Sequence, residues 1–307
     1  MAGWAISRTF LSSVSWRPAG QGRWSVEICV VCVMYRMRCG RSGILDAVSD
    51  GDSGDGIPPA LRGFLLFRNF ATSVKADSRF FCSSQNNAFL QRVLETCNAR
   101  VLNVPKGHTY WRARVGSAKE EAVLSSHEDG DITTEKNVPF PAEGMKPTPA
   151  NWNSEGRADP RGISYLYLAT NRDTAIGEVR PWRGALVSVA EFRIRKDLKI
   201  VDCGKFHAIE KFTPGGDMSS DEAMWLTIDR AFAKPVGRGD DVAEYIPTQI
   251  LAEFFKVNGY DGIGYKSVVR RDGVNVALFD PDNAELASCA LVKVSGIKYE
   301  FENVEPA

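Results

Sequence analysis

A few polar side chains occupy positions where a chain more often places apolar or turn residues. Arg112 stands in the middle of Tyr110 to Val115 (YWRARV), and strand alternation puts it on one face with Tyr110 and Arg114. Two guanidinium forks beside an aromatic ring suit a pyrophosphate or a carboxylate; a solvated strand face is the plainer reading. Tyr165 and Tyr167 share a face of Ile163 to Ala169 (ISYLYLA), as an aromatic wall for a ligand or as ordinary sheet packing. Glu178 follows Tyr167 by eleven residues, where its carboxylate either stabilises a developing positive charge or faces water. Ser267, after GYDGIGYK, and Asn275, just beyond Gly273, are hydrogen-bonding groups at strand ends or simply turn residues.

Other chemistries find little support. The chain has no P-loop, no GxSxG and no GxGxxG leading into a helix. Its three His, at 108, 127 and 207, are too scattered for a Cys/His nucleophile pair. Cys29, Cys32 and Cys39 lie close together without a fourth ligand at zinc spacing, so no metal is expected. The seven Cys lack the regular spacing of a disulfide framework and read as reduced thiols of a cytoplasmic protein. With 38 basic and 38 acidic residues the chain is not a strongly basic nucleic-acid binder. The charge is uneven. Residues 1–100 carry twelve Arg/Lys against seven Asp/Glu, and residues 101–307 carry 26 against 31, so a phosphate-bearing ligand of the second part needs local Arg groups. No apolar run reaches the length of about 18 residues that a membrane-spanning helix requires.

The elements that must position these groups are legible in outline. Residues 1–60 are Arg- and Ser-rich, then Gly/Asp/Pro-rich (DAVSDGDSGDGIPP), and read as a disordered extension: an organellar transit segment or the product of a start codon placed too far upstream. Residues 61–104 are expected to be a helical N-terminal extension, with Ser83 or Ser84 capping a helix from about 85 to 100 that packs through Phe89, Val93, Leu94 and Cys97. The main domain spans 105–307. Strands are expected over 110–115, 163–169, 184–194, 262–265, 274–279 and 290–302, and a long polar loop, a possible lid, over 117–150. Asn171 or Thr170 should cap a short helix over 173–179, Ser219 with Glu222 forms a capping box, and Pro247 opens a helix ended by Gly259. Strands outnumber helices without regular βαβ alternation, so the fold class is α+β with mainly antiparallel sheets.

The order of these groups resembles the RES domain family, named for its Arg, Glu and Ser. YWRAR (110–114), GRADPRGISYLYLAT (156–170), TAIGEVRPWRGALVSVAEF (174–192), YIPTQILAEFFKVNGYDGIGYKS (245–267) and GVNVALFDPD (273–282) match its blocks in order, over about 105–300. The resemblance implies an ADP-ribosyltransferase-like fold with short helices around an NAD cleft, and an enzyme that cleaves the nicotinamide–ribose bond of NAD+. Phosphorolysis (an NAD+ phosphorylase) and hydrolysis (a glycohydrolase) are both within its scope; ADP-ribose transfer to a protein, or an inactive binding module, are the alternatives. It places Arg112 and Glu178 as catalytic groups, with Arg112, Tyr167, Ser267, Asn275, Tyr165 and Arg114 binding NAD+ or phosphate. Asp159 departs from the pattern, since many members carry Asn there.

The implied chemistry suits these groups. Cleavage separates a cationic pyridinium from C1 of ribose through an oxocarbenium-like transition state. An ionised Glu178 stabilises that charge, and nicotinamide leaves neutral without a general acid, consistent with so few His. NAD+ is then substrate rather than bound cofactor, and inorganic phosphate is a possible co-substrate. Toxin–antitoxin precedent in the family implies a cognate antitoxin whose own helix-turn-helix binds DNA; this chain contacts neither nucleic acid nor membrane.

Overall fold

The computed structural model describes residues 57–80, 82–127, 130–147, 155–205, 217–234, 242–270, 272–298 and 301. The expectations for residues 1–56, including Cys29, Cys32 and Cys39, lie outside them. The first helix among the described residues, α1 (Pro59–Ala76), opens on Pro58 and Pro59, whose fixed φ suits a helix N-terminus. Ser83 caps α2 (Ser84–Cys97) by accepting from Asn86 N at 3.1 Å.

The chain then enters an eight-stranded sheet: β1 (Val101–Val104), β2 (Thr109–Val115), β5 (Leu166–Ala169), β6 (Leu186–Ile194), β7 (Leu198–Asp202), β8 (Gly262–Lys266), β9 (Val274–Leu278) and β10 (Ala284–Lys293), in the order β1-β7-β8-β9-β5-β2-β6-β10. Every pairing is antiparallel except β7 with β8. With the helices α4 (Arg172–Glu178), α5 (Ser220–Ala233) and α6 (Ile246–Val257) inserted between strands, this is a mixed α+β fold with a mostly antiparallel sheet.

Alternation sorts the strand residues between two cores. On one face Val201, Ile263, Tyr265 and Ala277 pack beneath Phe67, Phe70 and Val74 of α1, Phe89 and Val93 of α2, Trp225 and Phe232 of α5 and Phe255 of α6. The same face continues as Ala113, Ala169, Val187 and Val189 under Ala175 of α4. Tyr110, Leu168, Phe192, Ile200, Val276 and Leu278 form the opposite face, covered in part by Met145. The segment before Thr109 therefore shares the main core: α1 and α2 supply Phe67, Phe70 and Phe89 to it, and β1 extends the sheet.

Two expectations need correction. Residues 117–150 are not a loop throughout. They hold a hairpin of β3 (Ala118–His127) and β4 (Gly130–Val138), in register from Ala118↔Val138 to His127↔Gly130 with a bulge between Val123 and Ser125, followed by the one-turn α3 (Ala142–Met145). The ribbon pairs with no other strand among the described residues, and Glu120, Glu121, Val123, Leu124 and Glu135 are exposed, so no apolar alternation marks it. Its sequence signal was the Asp129–Gly130 pair, a strong hairpin former. The last strand begins at Ala284 rather than 290, directly after a turn in which Asp280 Oδ1 accepts from Asp282 N, and it ends at Lys293. No helix among the described residues is long and apolar enough to cross a membrane, and no group of His, Cys, Asp and Glu among them is placed to hold a metal.

Candidate active site

Three distant segments converge on Glu178. The two-turn helix α4 is fixed at its start by Asn171 Oδ1, which accepts from Thr174 N at 2.8 Å, and it carries Glu178 at its last position. Two residues later Arg180 adopts φ 45°, a left-handed conformation that turns the chain away. Strands β8 and β9 bring the partners: Tyr265 pairs with Asn275, and Ser267 N closes the following turn on Gly273 O at 3.0 Å. Glu178 Oε1 accepts from Ser267 Oγ at 2.7 Å and from Asn275 Nδ2 at 2.6 Å. Both donors are buried while Glu178 is half-buried. Oε2 receives no hydrogen bond from the described residues, so the protein engages one oxygen of the carboxylate only. Close approach of α4 to β9 makes this possible, for a Cβ on Gly273 would lie 2.3 Å from Thr174 Oγ1.

Arg112 anchors a second group. Strands β2 and β5 pair only at Trp111↔Ala169, and the side chain of Arg112 turns to the strand beyond that point, where Nη1 donates to Tyr167 O at 2.8 Å. Its Nε is buried without a hydrogen-bond partner among the described residues, although the residue as a whole keeps some exposed surface. Burial, with the charge of Arg114 acting in the same direction, lowers the guanidinium to about 10, while Tyr167 and Asp159 pull it back up; it stays charged at neutral pH. A buried charged donor without an acceptor is costly, and an anion would satisfy it.

Tyr167 is committed to its own neighbourhood. Its hydroxyl donates its one proton to Asp159 Oδ1 and accepts from Ala158 N at 3.1 Å. Burial lifts the phenol well above its ordinary range, so it remains neutral. Burial also raises the Asp159 carboxyl, against the opposing pull of the Tyr167 hydrogen bond and the Arg112 charge. Gly156 has no room for a side chain here: a Cβ would sit 2.1 Å from Asp159 Oδ1 and 2.5 Å from the Tyr167 hydroxyl.

The turn from Gly156 to Asp159 is clamped from several sides. Gly156 N donates to Asp159 O at 3.0 Å, Gln249 Nε2 donates to Gly156 O at 3.0 Å, and Thr248 Oγ1 donates to Arg157 O at 2.6 Å. Arg157 Nη1 reaches Phe232 O at 3.1 Å, and its guanidinium lies 5.7 Å from the Tyr265 ring centroid. Burial raises the Tyr265 phenol, with Glu178 and Asp159 acting in the same direction against Arg157. Among the described residues no hydrogen bond or ion pair links Arg112 to the Glu178 group, and Arg112 starts from the face of β2 opposite Ala113, the residue under α4. Sequence reasoning did not single out Arg157 or Tyr265. Arg157 sat in a turn-rich stretch without periodicity, and Tyr265 read as an ordinary strand residue.

Two of the expected site residues are placed elsewhere. Tyr165 is 2 % exposed and packs on Phe279 at 4.9 Å between ring centroids, with Lys256 Nζ 5.2 Å from its ring. Arg114 does share a face with Arg112, but it donates to Gly144 O at 2.5 Å and lies 4.7 Å from the Phe140 ring centroid, fastening the segment around α3. A separate hollow lined by Asn98, Val101, Lys199, Asn258, Gly259 and Tyr260 contains none of these groups.

Comparisons with known proteins bear on the family of the chain. No curated protein sequence matches the chain. Among solved structures, the crystal structure of the M. tuberculosis MbcT–MbcA toxin–antitoxin complex aligns at 15 % identity over 66 % of this chain and 91 % of that chain, with a TM-score of 0.34, a distant likeness from which nothing about this chain follows. The RES domain model matches residues 131–300, a stretch that contains Tyr167, Glu178, Ser267 and Asn275 and begins after Arg112. The match spans more than half of the 307 residues, and the chain belongs to the RES domain family.

Proposed function

We propose that this protein cleaves the nicotinamide–ribose bond of NAD+, with phosphate as the preferred acceptor. The observation that carries the reading is the Glu178 carboxylate, locked through one oxygen by Ser267 and Asn275 and open at the other. In the reaction the bond between C1 of ribose and the pyridinium nitrogen breaks, its electron pair goes to nitrogen, and nicotinamide leaves neutral. The open oxygen of Glu178 faces the positive charge that grows on C1 and the ring oxygen, and accepts from the 2-hydroxyl. A phosphate oxygen then forms the new bond to C1; water in its place would give free ADP-ribose.

The other groups take roles set by their hydrogen bonds. Ser267 Oγ and Asn275 Nδ2 each donate one hydrogen bond to Glu178 and so orient it. Arg112, which keeps some exposed surface beside its buried Nε, holds the pyrophosphate or the incoming phosphate. Tyr167, whose proton is given to Asp159, offers its ring to nicotinamide rather than its hydroxyl to a phosphate. No resident cofactor is required. The same reading takes the sheet and its helices as an ADP-ribosyltransferase-like frame, and a toxin-like enzyme of this kind would be held in check by a cognate antitoxin.

The test is incubation of the purified protein with NAD+, with and without inorganic phosphate, read by product mass. ADP-ribose bearing a phosphate on C1 is the expected product. Plain ADP-ribose at every phosphate concentration makes the enzyme a glycohydrolase, and label transferred from NAD+ to protein makes it an ADP-ribosyltransferase. Unchanged NAD+ overturns the reading.

A further inference from the structure

The chain that leaves Glu178 carries an aromatic ring between two cations. Past the left-handed Arg180 come Pro181, Trp182 and Arg183. Trp182 is 65 % exposed, and among the described residues its side chain makes no hydrogen bond and no ring contact. Arg180 and Arg183 are exposed as well, and neither guanidinium has an ion-pair or hydrogen-bond partner among those residues. The backbone beneath them is pinned. Arg180 N donates to Gly177 O at 3.0 Å, Ala185 N to Trp182 O at 3.0 Å and Gly184 N to Val294 O at 2.8 Å, while Val179 packs with Ile176 against the core of Val187 and Val189. A lone exposed aromatic residue is ordinary. A ring presented on a fixed loop between two uncommitted guanidinium groups, four residues past the Glu178 carboxylate, is the composition of a site for a planar anion.

We propose that Trp182 is the stacking platform for the adenine ring of the dinucleotide cleaved at Glu178, and that Arg180 and Arg183 draw in its phosphates. Position supports it. Glu178 is bonded to Ser267 and Asn275 at β8–β9, whereas the loop closes on Val294, just past the end of β10, and β5, β2 and β6 lie between those two edges in the strand order. The loop therefore leads away from the carboxylate across the sheet, and four residues of chain keep the two Cα atoms within about 14 Å. Separation on that scale suits the two ends of one dinucleotide. An indole offers its face to a base whatever the base's hydrogen-bonding pattern, so stacking supplies affinity, and the two cations supply an attraction to phosphate that the ring cannot. The identity of the whole ligand rests on the NAD+ reading above; a platform for an adenine nucleotide does not. Trp182 meets the ligand away from the reacting bond, so it is a binding group and not a catalytic one.

Calorimetric titration of the full chain and of Trp182→Ala with AMP and with nicotinamide mononucleotide tests the proposal. The variant is expected to bind AMP about five- to a hundredfold more weakly, the range of one base stacked on an aromatic side chain, and to bind nicotinamide mononucleotide as the parent does. Trp182→Phe, which keeps a ring face, should restore most of the AMP affinity. Replacing both Arg180 and Arg183 by Gln should weaken AMP binding and leave that of adenosine, which has no phosphate, unchanged. All three side chains are exposed, so the variants are expected to keep the melting temperature of the parent. Equal AMP binding by the parent and Trp182→Ala overturns the proposal, as does an equal loss for nicotinamide mononucleotide or no AMP binding by the parent. AMP binding indifferent to the arginine pair overturns their part in it. Turnover separates the proposal from the NAD+ reading. AMP affinity that depends on Trp182 in a protein that leaves NAD+ intact upholds the platform while the NAD+ reading falls, and NAD+ cleavage with a KM indifferent to Trp182→Ala sinks the platform alone.

Discussion

The Glu178 group and the Arg112 group are built on opposite principles. Around Glu178 the protein supplies its own partners, a serine and an asparagine from β8–β9 that occupy one carboxylate oxygen before any ligand arrives. Around Arg112 it leaves a buried N–H without an acceptor among the described residues. The first group is finished and the second is incomplete. A finished group is what transition-state stabilisation asks for, since oriented side chains need no reorganisation as charge develops. An incomplete group is what ligand capture asks for, since the arriving anion supplies the missing hydrogen bond.

That contrast is broken or sharpened first by Glu178→Gln. The substitution keeps the shape and an acceptor for Ser267 and Asn275 but removes the charge, so NAD+ turnover is expected to fall by about 10²–10³ with little change in KM. Steady-state NAD+ consumption measures it, and full turnover would dissolve the distinction between the groups. Arg112→Ala should come next, with kcat/KM lower by about 10² and the loss carried mainly by KM, because the guanidinium serves capture. Arg112→Lys should not restore it: a point charge lacks the fork that reaches Tyr167 O and a ligand together.

Smaller effects are expected from the residues that orient Glu178. Ser267→Ala and Asn275→Ala should each lower kcat about tenfold, the scale of one hydrogen bond to a charged group. Combined with Glu178→Gln, neither should add its full effect, because all three act through one carboxylate. A double-mutant cycle in which the losses multiply would mean that Ser267 or Asn275 touches the substrate directly.

Much of this scaffold was legible because its signals are local. The Asn171 cap of α4, the Ser219–Glu222 capping box of α5 and the proline that opens α6 all stand in the structure where side-chain chemistry places them. The candidate residues were legible as types in an order, but their commitments were not. Whether the Tyr167 hydroxyl is free depends on Asp159, eight residues away across a turn, and on a glycine between them that leaves room. Whether Tyr165 faces a cleft or a core depends on Phe279 and on α6, far along the chain. The β3–β4 hairpin is hard to read from the sequence because its many exposed residues impose no apolar alternation, which leaves the Asp129–Gly130 pair as its sequence signal.

Arg114 gives the mildest and most discriminating prediction, because it differs from Arg112 only by two positions on one strand face. Register pairs Arg112 with Ala190 and Arg114 with Ser188, so both start from the same side of the sheet. Arg112 turns to Tyr167 of β5, whereas Arg114 crosses to Gly144 O and stacks on Phe140. That contact joins others holding the segment down: Phe140 N donates to Ser188 Oγ at 3.0 Å, and Met145 is fully buried. Arg114 is exposed, so removing its cation–π contact and hydrogen bond should cost about 0.5–1.5 kcal/mol of stability. Arg114→Ala should therefore lower the melting temperature by a few degrees and leave the NAD+ kinetic constants within about twofold. Calorimetry and steady-state kinetics on the same preparation measure both. A rise in KM matching that of Arg112→Ala, at unchanged melting temperature, would put the second guanidinium on the ligand and make the capture group a two-arginine site.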